Sequence, residues 1–219
     1  MENWIKYEGI EVAENEIVER SRLYYELMDK RRSVREFSDK PVPMAVIENI
    51  IKTASSAPSG AHKQPWTFCV VSSRKIKQQI REAAEKEEFT NYNGRMSEEW
   101  LEDLKVFGTD WHKPFLETAP YLIIVFKKAY DFDKNGEKSK NYYVNESVGI
   151  ACGFLISAIH HAGLITLTHT PSPMNFLEKI LERPKNERAF LLLPVGYPVE
   201  NAEVPNLKRK DLEEVMTVY

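Results

Sequence analysis

The sequence predicts an α+β fold: a central mixed β-sheet flanked by helices. Two observations carry this expectation. Segments with apolar residues at helical spacing outnumber the strand-like ones, and every strand-like run is short. The runs at 66–71 and 121–126 are also apolar nearly throughout, which reads as strands buried inside the fold.

Residues 13–30 read as a helix, with Ile17, Tyr24, Leu27 and Met28 on one stripe. A basic patch, KRRSVR, follows at 30–35. Pro43 suits the first position of the next helix, and Ile47, Ile50, Ile51 and Ala54 follow at i, i+3, i+4, i+7. Pro58 ends that helix. The run WTFCVV at 66–71 is rich in aromatic and β-branched residues and predicts a strand. Ser73 is the expected cap of a helix carrying Ile76, Ile80, Ala83 and Ala84 on one face.

Residues 85–115 change character. They are charged, and Phe89, Tyr92, Trp100, Phe107, Trp111 and Phe115 do not fall on one stripe. A surface segment rich in scattered aromatics is expected to be a lid, at about 87–115. A second buried strand is expected at 121–126, and a polar loop at 131–141. Residues 143–162 read as a helix apolar nearly all round, stopped by Gly163, in which Gly149, Ala151 and Gly153 suit a close helix contact. A strand is expected at 164–169. Ser172 and Pro173 then cap and open a helix carrying Phe176, Leu177, Ile180 and Leu181, and the last clear strand is 189–195. The tail, 197–219, has two prolines and a short charged helix around 211–216, and reads as an arm that reaches out rather than as core.

Composition narrows the function classes. The net charge is -3, and the longest basic cluster, Lys208-Arg209-Lys210, is too short for a nucleic-acid footprint. The two cysteines, Cys69 and Cys152, have no partners at metal-ligand spacing and read as buried free thiols of a reducing compartment. MENWIKYEGI has no basic region followed by an apolar core, so no signal peptide is expected. The longest nearly apolar helical run, 147–159, falls short of the ~20 residues a membrane span needs, so a soluble, cytoplasmic protein with no membrane contact is expected. No GxGxxG, P-loop, GxSxG elbow or metal-binding histidine spacing occurs. His160 and His161 sit where a helix dipole favours them.

Three features remain. Arg31, Arg32, Ser33 and Arg35 put three guanidinium groups and a hydroxyl within five residues, a set suited to phosphate, although such a cluster taken alone more often is a solvated helix end. In APSGAHKQPW (57–66), Pro58 fixes φ and Gly60 permits a positive φ, so that backbone N–H groups could face an anion; a plain connection reads as well. Thr168, His169 and Thr170 close a strand, where a hydroxyl could reach a ligand or simply do strand duty.

The order of these features is more specific than any one of them. RRSVR (31–35), APSGAH (57–62), PW (65–66), TAP (118–120), IACG (150–153), LLPVGYP (192–198) and LKRK (207–210) together resemble the nitroreductase superfamily of flavoproteins, and within it the iodotyrosine deiodinase family. The resemblance runs from about residue 30 to the C-terminus. It implies one nitroreductase-like domain over 1–219 with an active-site lid, a C-terminal arm, an intertwined homodimer and FMN at the subunit interface.

By position, Arg31, Arg32, Ser33 and Arg35 resemble the FMN contacts of the RRSVR motif, and Arg209 a further phosphate partner. Pro58, Ser59 and Gly60 match the loop along the flavin. Thr168, His169 and Thr170 match the strand end beside the ring. Thr170 resembles the catalytic threonine whose hydroxyl bonds the flavin N5 and favours one-electron steps. The implied substrates are halotyrosines (iodo-, bromo- and chlorotyrosine), reduced to tyrosine with loss of halide, and the implied electron source is NAD(P)H or a reductase. A halotyrosine is a zwitterion with a phenol. Glu88 and Tyr92 are four apart, so they share a helix face, and Lys113 lies past the next helical segment; these three match the family's zwitterion clamp. The Ala61 amide would meet the phenolate. His169 departs from the threonine expected of vertebrate relatives, and His62 has no role that its position forces. Two other readings share the cofactor site: a broad NAD(P)H-dependent nitroreductase, which needs no clamp, and a non-catalytic flavin- or tyrosine-binding sensor.

Overall fold

The computed structural model describes residues 4–219; the first three residues of MENWIKYEGI lie outside them. The chain packs as two units, Met1–Arg31 and Arg32–Tyr219. The first holds one helix, α1 (Ile17–Asp29), entered through a 3-10 turn at Glu14–Glu16. Arg22 bonds both Glu19 and Glu26 one turn away on either side, and no α1 residue is buried.

The second unit is built on a four-stranded sheet in the order β1 (Trp66–Val71), β2 (Tyr121–Lys128), β6 (Glu187–Gly196), β5 (Ile165–Thr166). These strands pair antiparallel throughout, with Cys69 opposite Ile124 and Ile124 opposite Leu192. The mixed character expected of the sheet is confined to one isolated parallel bridge, Ser33 to Thr166. Side chains of a strand alternate between faces, so an unbroken apolar run serves two cores. Along β2, Ile123 and Val125 enter one core with Leu191 and Leu193. Leu122, Ile124 and Phe126 enter the other with Leu192.

Helices α2 (Met44–Ser55) and α6 (Val144–His161) cover the first face through Ile47, Ile50, Ala54, Ala151, Leu155 and Ile159. Helices α3 (Arg74–Thr90), α5 (Phe115–Thr118) and α7 (Asn175–Ile180) cover the second through Ile80, Ala84, Leu116 and Leu177. Pro43 caps α2 from one residue before its first turn, and the Ser73 hydroxyl accepts from the Ile76 N–H at the start of α3. Gly163, at φ +76°, ends α6 in the left-handed conformation that glycine adopts without strain.

Residues 85–115 run from the end of α3 through a tight turn at Asn91–Arg95 and α4 (Glu98–Lys105) to a loop. Edge-on packing of Phe89 and Trp111 holds the segment's two ends together. The Asn91 amide bonds the Ser172 carbonyl at 3.0 Å, tying the turn to the strand-end loop.

Four local expectations are corrected. The polar loop at 131–141 contains a hairpin, β3 (Tyr130–Phe132) paired with β4 (Lys138–Lys140). Asp133 accepts from the Asn135 and Glu137 N–H groups, and Gly136 takes φ +81°, so an Asn-Gly turn closes it. The strand expected at 164–169 is two residues long; the chain leaves the ladder after Thr166 and rejoins it at His169, which bonds Leu192 in both directions. Ser172 and Pro173 do not cap α7: their peptide bond is cis, and α7 starts after Met174 with no side-chain cap. The tail's short helix is a 3-10 turn, Leu212–Glu214, closed by an Asp211–Glu214 capping box.

Candidate active site

The Ser33–Thr166 bridge and the bond from the Val34 N–H to the Thr166 carbonyl (3.3 Å) lay the 32–35 segment beside the sheet edge at β5. The chain then delivers Thr168, His169 and Thr170 just beyond that edge. Across from them, the last turn of α3 carries Glu88, and the turn after it presents Tyr92. Arg35, Glu88, Tyr92, Lys113, Thr168, His169 and Thr170 line one cavity of ≈ 160 Å³. Arg35 and the 88–113 segment, far apart in sequence, therefore meet over the strand end.

The Lys113 Nζ lies 3.4 Å from the Glu88 carboxylate, with both side chains largely buried. It also donates to Thr109 Oγ1 (3.3 Å) and to the Asp110 carbonyl, and sits 5.7 Å from the centre of the Tyr92 ring. Burial pulls the Lys113 ammonium below its ordinary pKa, and the Glu88 charge opposes that shift. The Tyr92 hydroxyl donates to the Thr109 carbonyl at 3.2 Å; burial, then Glu88, raises its pKa. Arg35 lies over the Phe107 ring at 5.9 Å, and burial lowers its pKa. His169 is buried edge-on against Phe115, with ring centroids 5.7 Å apart. Its pKa is pushed down to about 3 by burial and then by the Lys113 and Arg35 charges, so the ring is neutral.

The remaining expected site residues do not line this cavity. Arg32 donates to the Pro205 carbonyl, which holds the C-terminal arm against the motif. Ser33 borders a neighbouring hollow with Arg35, Phe107 and Pro205. Arg31 belongs to the N-terminal unit and bonds the Met28 carbonyl through its N–H; Arg209 is exposed in the C-terminal arm.

In the 58–61 loop, Pro58 and Ala61 are exposed and Ser59 Oγ accepts from the Gln64 N–H at 2.9 Å. The positive φ expected at Gly60 falls instead on Ala61 (+50°), His62 (+55°) and Gln64 (+46°). Gly60 is required by close approach: a Cβ there would stand 2.8 Å from the Tyr142 carbonyl oxygen. Its N–H donates to Ser147 Oγ and so is not open to a ligand. Three non-glycine residues in the left-handed region mark a strained loop, held by its bonds to the rest of the fold.

Sequence reasoning missed the cavity's apolar wall: Met96, Trp100 and Leu104. Their i, i+4, i+8 spacing was the available signal, a single helical face inside a segment that looks scattered as a whole. Among the described residues no cluster of His, Cys, Asp or Glu could hold a metal, and no helix is long and apolar enough to cross a membrane.

The sequence profile of the Nitroreductase family matches residues 28–197. The chain is 68% identical to iodotyrosine deiodinase of Haliscomenobacter hydrossis over 216 residues, covering 99% of this chain and 97% of that protein. It is 50% identical to human iodotyrosine deiodinase 1 over 204 residues, 93% of this chain and 71% of that one. Its fold is similar to a crystal structure of oxidized iodotyrosine deiodinase bound to FMN and 3-iodo-L-tyrosine, with TM-score 0.75 and 33% identity over 89% of this chain and 100% of that one. An FMN-bound nitroreductase from Bacteroides fragilis shares the fold at TM-score 0.66 and 20% identity, over 90% of this chain and 98% of that one. By sequence and by fold alike, the chain belongs to the nitroreductase family, on its iodotyrosine deiodinase branch.

Proposed function

We propose that this chain is an FMN-dependent reductive dehalogenase that converts halotyrosines to tyrosine and halide. The observation that carries this reading is the meeting of Glu88, Tyr92 and Lys113 with Arg35 and Thr170 in one cavity. The reaction replaces a carbon–halogen bond by carbon–hydrogen, taking up two electrons and a proton and releasing halide. Bound FMN would supply the electrons singly, with NAD(P)H or a reductase as their source.

The residues present fit that cofactor. His169 Nε2 is a buried polar atom without a partner in the cavity wall, and the half-buried Arg35 is a cation suited to an electron-rich ligand. Arg31, Arg32, Ser33, Arg35 and Arg209 would hold FMN and its phosphate. Pro58, Ser59 and Gly60 would lie along it, and Thr168, His169 and Thr170 would border its ring. The Thr170 hydroxyl would donate to the reacting edge.

The substrate side follows from charge. Glu88 takes the ammonium; Lys113 and the Tyr92 hydroxyl take the carboxylate. Glu88 and Lys113 now neutralise each other, so an incoming zwitterion exchanges one buried ion pair for two. A ligand with only one of the two charges would leave the other side chain buried and unpaired, which favours the complete amino acid. The Ala61 amide would receive the phenolate.

The unit of function is proposed to be a homodimer. Ile150 and Phe154 are exposed on α6, opposite its core face, and a Cβ at Gly149 or Gly153 would meet nothing within 4 Å. Ala151, expected beside those glycines, is buried on the core side instead. The two free cysteines support a reducing, cytoplasmic setting.

The test is anaerobic turnover of iodo-, bromo- and chlorotyrosine by FMN-loaded protein with dithionite. Stoichiometric halide and tyrosine are expected; no halide from any of the three overturns the proposal.

A further inference from the structure

Among the described residues, two buried side-chain atoms have no hydrogen-bond partner: Asn141 Oδ1 and His169 Nε2. Asn141 is locked at the base of the β3–β4 hairpin, its amide donating to the Lys128 carbonyl and to Asp131. His169 differs because it forms part of the cavity wall.

The backbone around His169 is fixed. Its N–H donates to the Leu192 carbonyl at 2.9 Å, and its carbonyl accepts from the Leu192 N–H at 3.2 Å. The ring therefore has only its own side-chain rotations, and Phe115 blocks one side of it edge-on. A buried, unpartnered nitrogen costs free energy that an apolar side chain of similar size would not. The fold of the free chain gives no return for that cost.

The cavity's other polar groups define what the ring can add. Of the charged ones, Arg35 and Lys113 only donate and Glu88 is already engaged by Lys113; Tyr92, Thr168 and Thr170 add neutral hydroxyls. A neutral imidazole both donates and accepts, and it adds no third positive charge beside the two cations. The polar edge of a flavin presents both N–H and carbonyl groups, so a neutral, two-way partner matches it where a cation would not.

We infer that His169 is a positioning residue for the flavin, whose unpaired ring nitrogen gains its hydrogen-bond partner only when the cavity is loaded. This rests on the cofactor reading above. Removing the ring should therefore have opposite effects on the free and the loaded protein, an outcome that a packing role would not produce.

The experiment uses protein labelled with 15N-histidine, with the His169 signals assigned through His169→Gln. Ring 15N shifts are compared in flavin-free protein, with FMN, and with FMN plus iodotyrosine. The expected result is a change of the His169 nitrogens on adding FMN. His169→Leu should raise the melting temperature of the flavin-free protein and weaken FMN binding about tenfold, the loss of one hydrogen bond. His169→Gln should recover part of that affinity. Unmoved ring nitrogens on FMN addition overturn the inference, as does a shift seen only with iodotyrosine, or full FMN affinity in His169→Leu. If His169→Leu does not fold, the shifts of the unchanged chain decide alone. Halide release by the unchanged chain separately tests the proposed reaction, so the two can fail independently.

Discussion

At the scale of single residues, the site is governed by charges taken out of water. Glu88 and Lys113 compensate each other at 3.4 Å, and removing either leaves the other buried. Glu88→Gln should therefore weaken halotyrosine binding by about 2–3 kcal/mol, the worth of a charge-assisted bond. FMN affinity should not change, because Glu88 is assigned no cofactor contact. Flavin fluorescence titrated with iodotyrosine measures this, and an unaltered dissociation constant would refute the ammonium role. His169 adds a pH dependence of definite sign. Its folded pKa, about 3, lies below the ordinary histidine value of 6.5, so between these pH values the unfolded chain binds more protons than the folded one. Stability should fall as pH drops through that window, by at most about 1.4 kcal/mol per unit from this group. Urea midpoints of the unchanged chain and His169→Gln across the window check it: the variant should show the shallower acid slope. That Glu88, Tyr92 and Lys113 come together in one cavity was expected from the family resemblance and the four-residue spacing of Glu88 and Tyr92. The neutrality of His169 was not, because it depends on Lys113 and Arg35, which arrive from other elements.

At the scale of elements, what the sequence made legible was what local pattern decides. The apolar runs at 66–71 and 121–126 became strands β1, at the sheet edge, and β2, inside the sheet, because each feeds two cores. The Ser73 cap and the Gly163 stop were readable because each acts on its own helix end. The hairpin after β2 was missed because β4, Lys-Ser-Lys, carries no apolar residue and the Asn-Gly turn lies inside a polar run. Strand 164–169 was overestimated because its β-branched residues suit a ladder that the chain leaves after Thr166 and touches again only at His169. The 57–66 loop shows the same limit. Its glycine was visible, yet the reason for it lies at Tyr142, more than eighty residues away. Gly60→Ala should thus displace the loop rather than strain a φ angle, since the added carbon meets a backbone carbonyl at 2.8 Å that cannot rotate aside. The expected outcome is weaker iodotyrosine binding, with a loss of stability of about 1–3 kcal/mol typical of overpacking. Equal affinity and equal urea midpoint would mean that the loop yields freely and does not set the site.

At the scale of the whole molecule, the question is what completes the site. The 58–61 loop does not line the cavity bordered by Glu88, Tyr92 and Lys113, although the proposed function needs its amide over the same ligand. A second copy resolves this if the two loops and the two cavities are exchanged across a shared face. The open side of α6 is the candidate face. It carries Phe154, 40% exposed, and Ile150, 44% exposed, beside two glycines that leave room for a close approach. The loop is also coupled to that helix, since the Gly60 N–H bonds Ser147 on α6. Phe154→Glu places a charge on this face without touching the core, so the fold should survive. Burying that unpaired carboxylate in an interface would cost several kcal/mol. Sedimentation should then show a folded monomer, and FMN should be lost on gel filtration, because the cofactor would no longer have both of its walls. A variant that still sediments as a dimer and keeps its flavin would place the interface elsewhere. A variant that becomes a monomer yet binds FMN as tightly would show that one chain is enough to hold the cofactor.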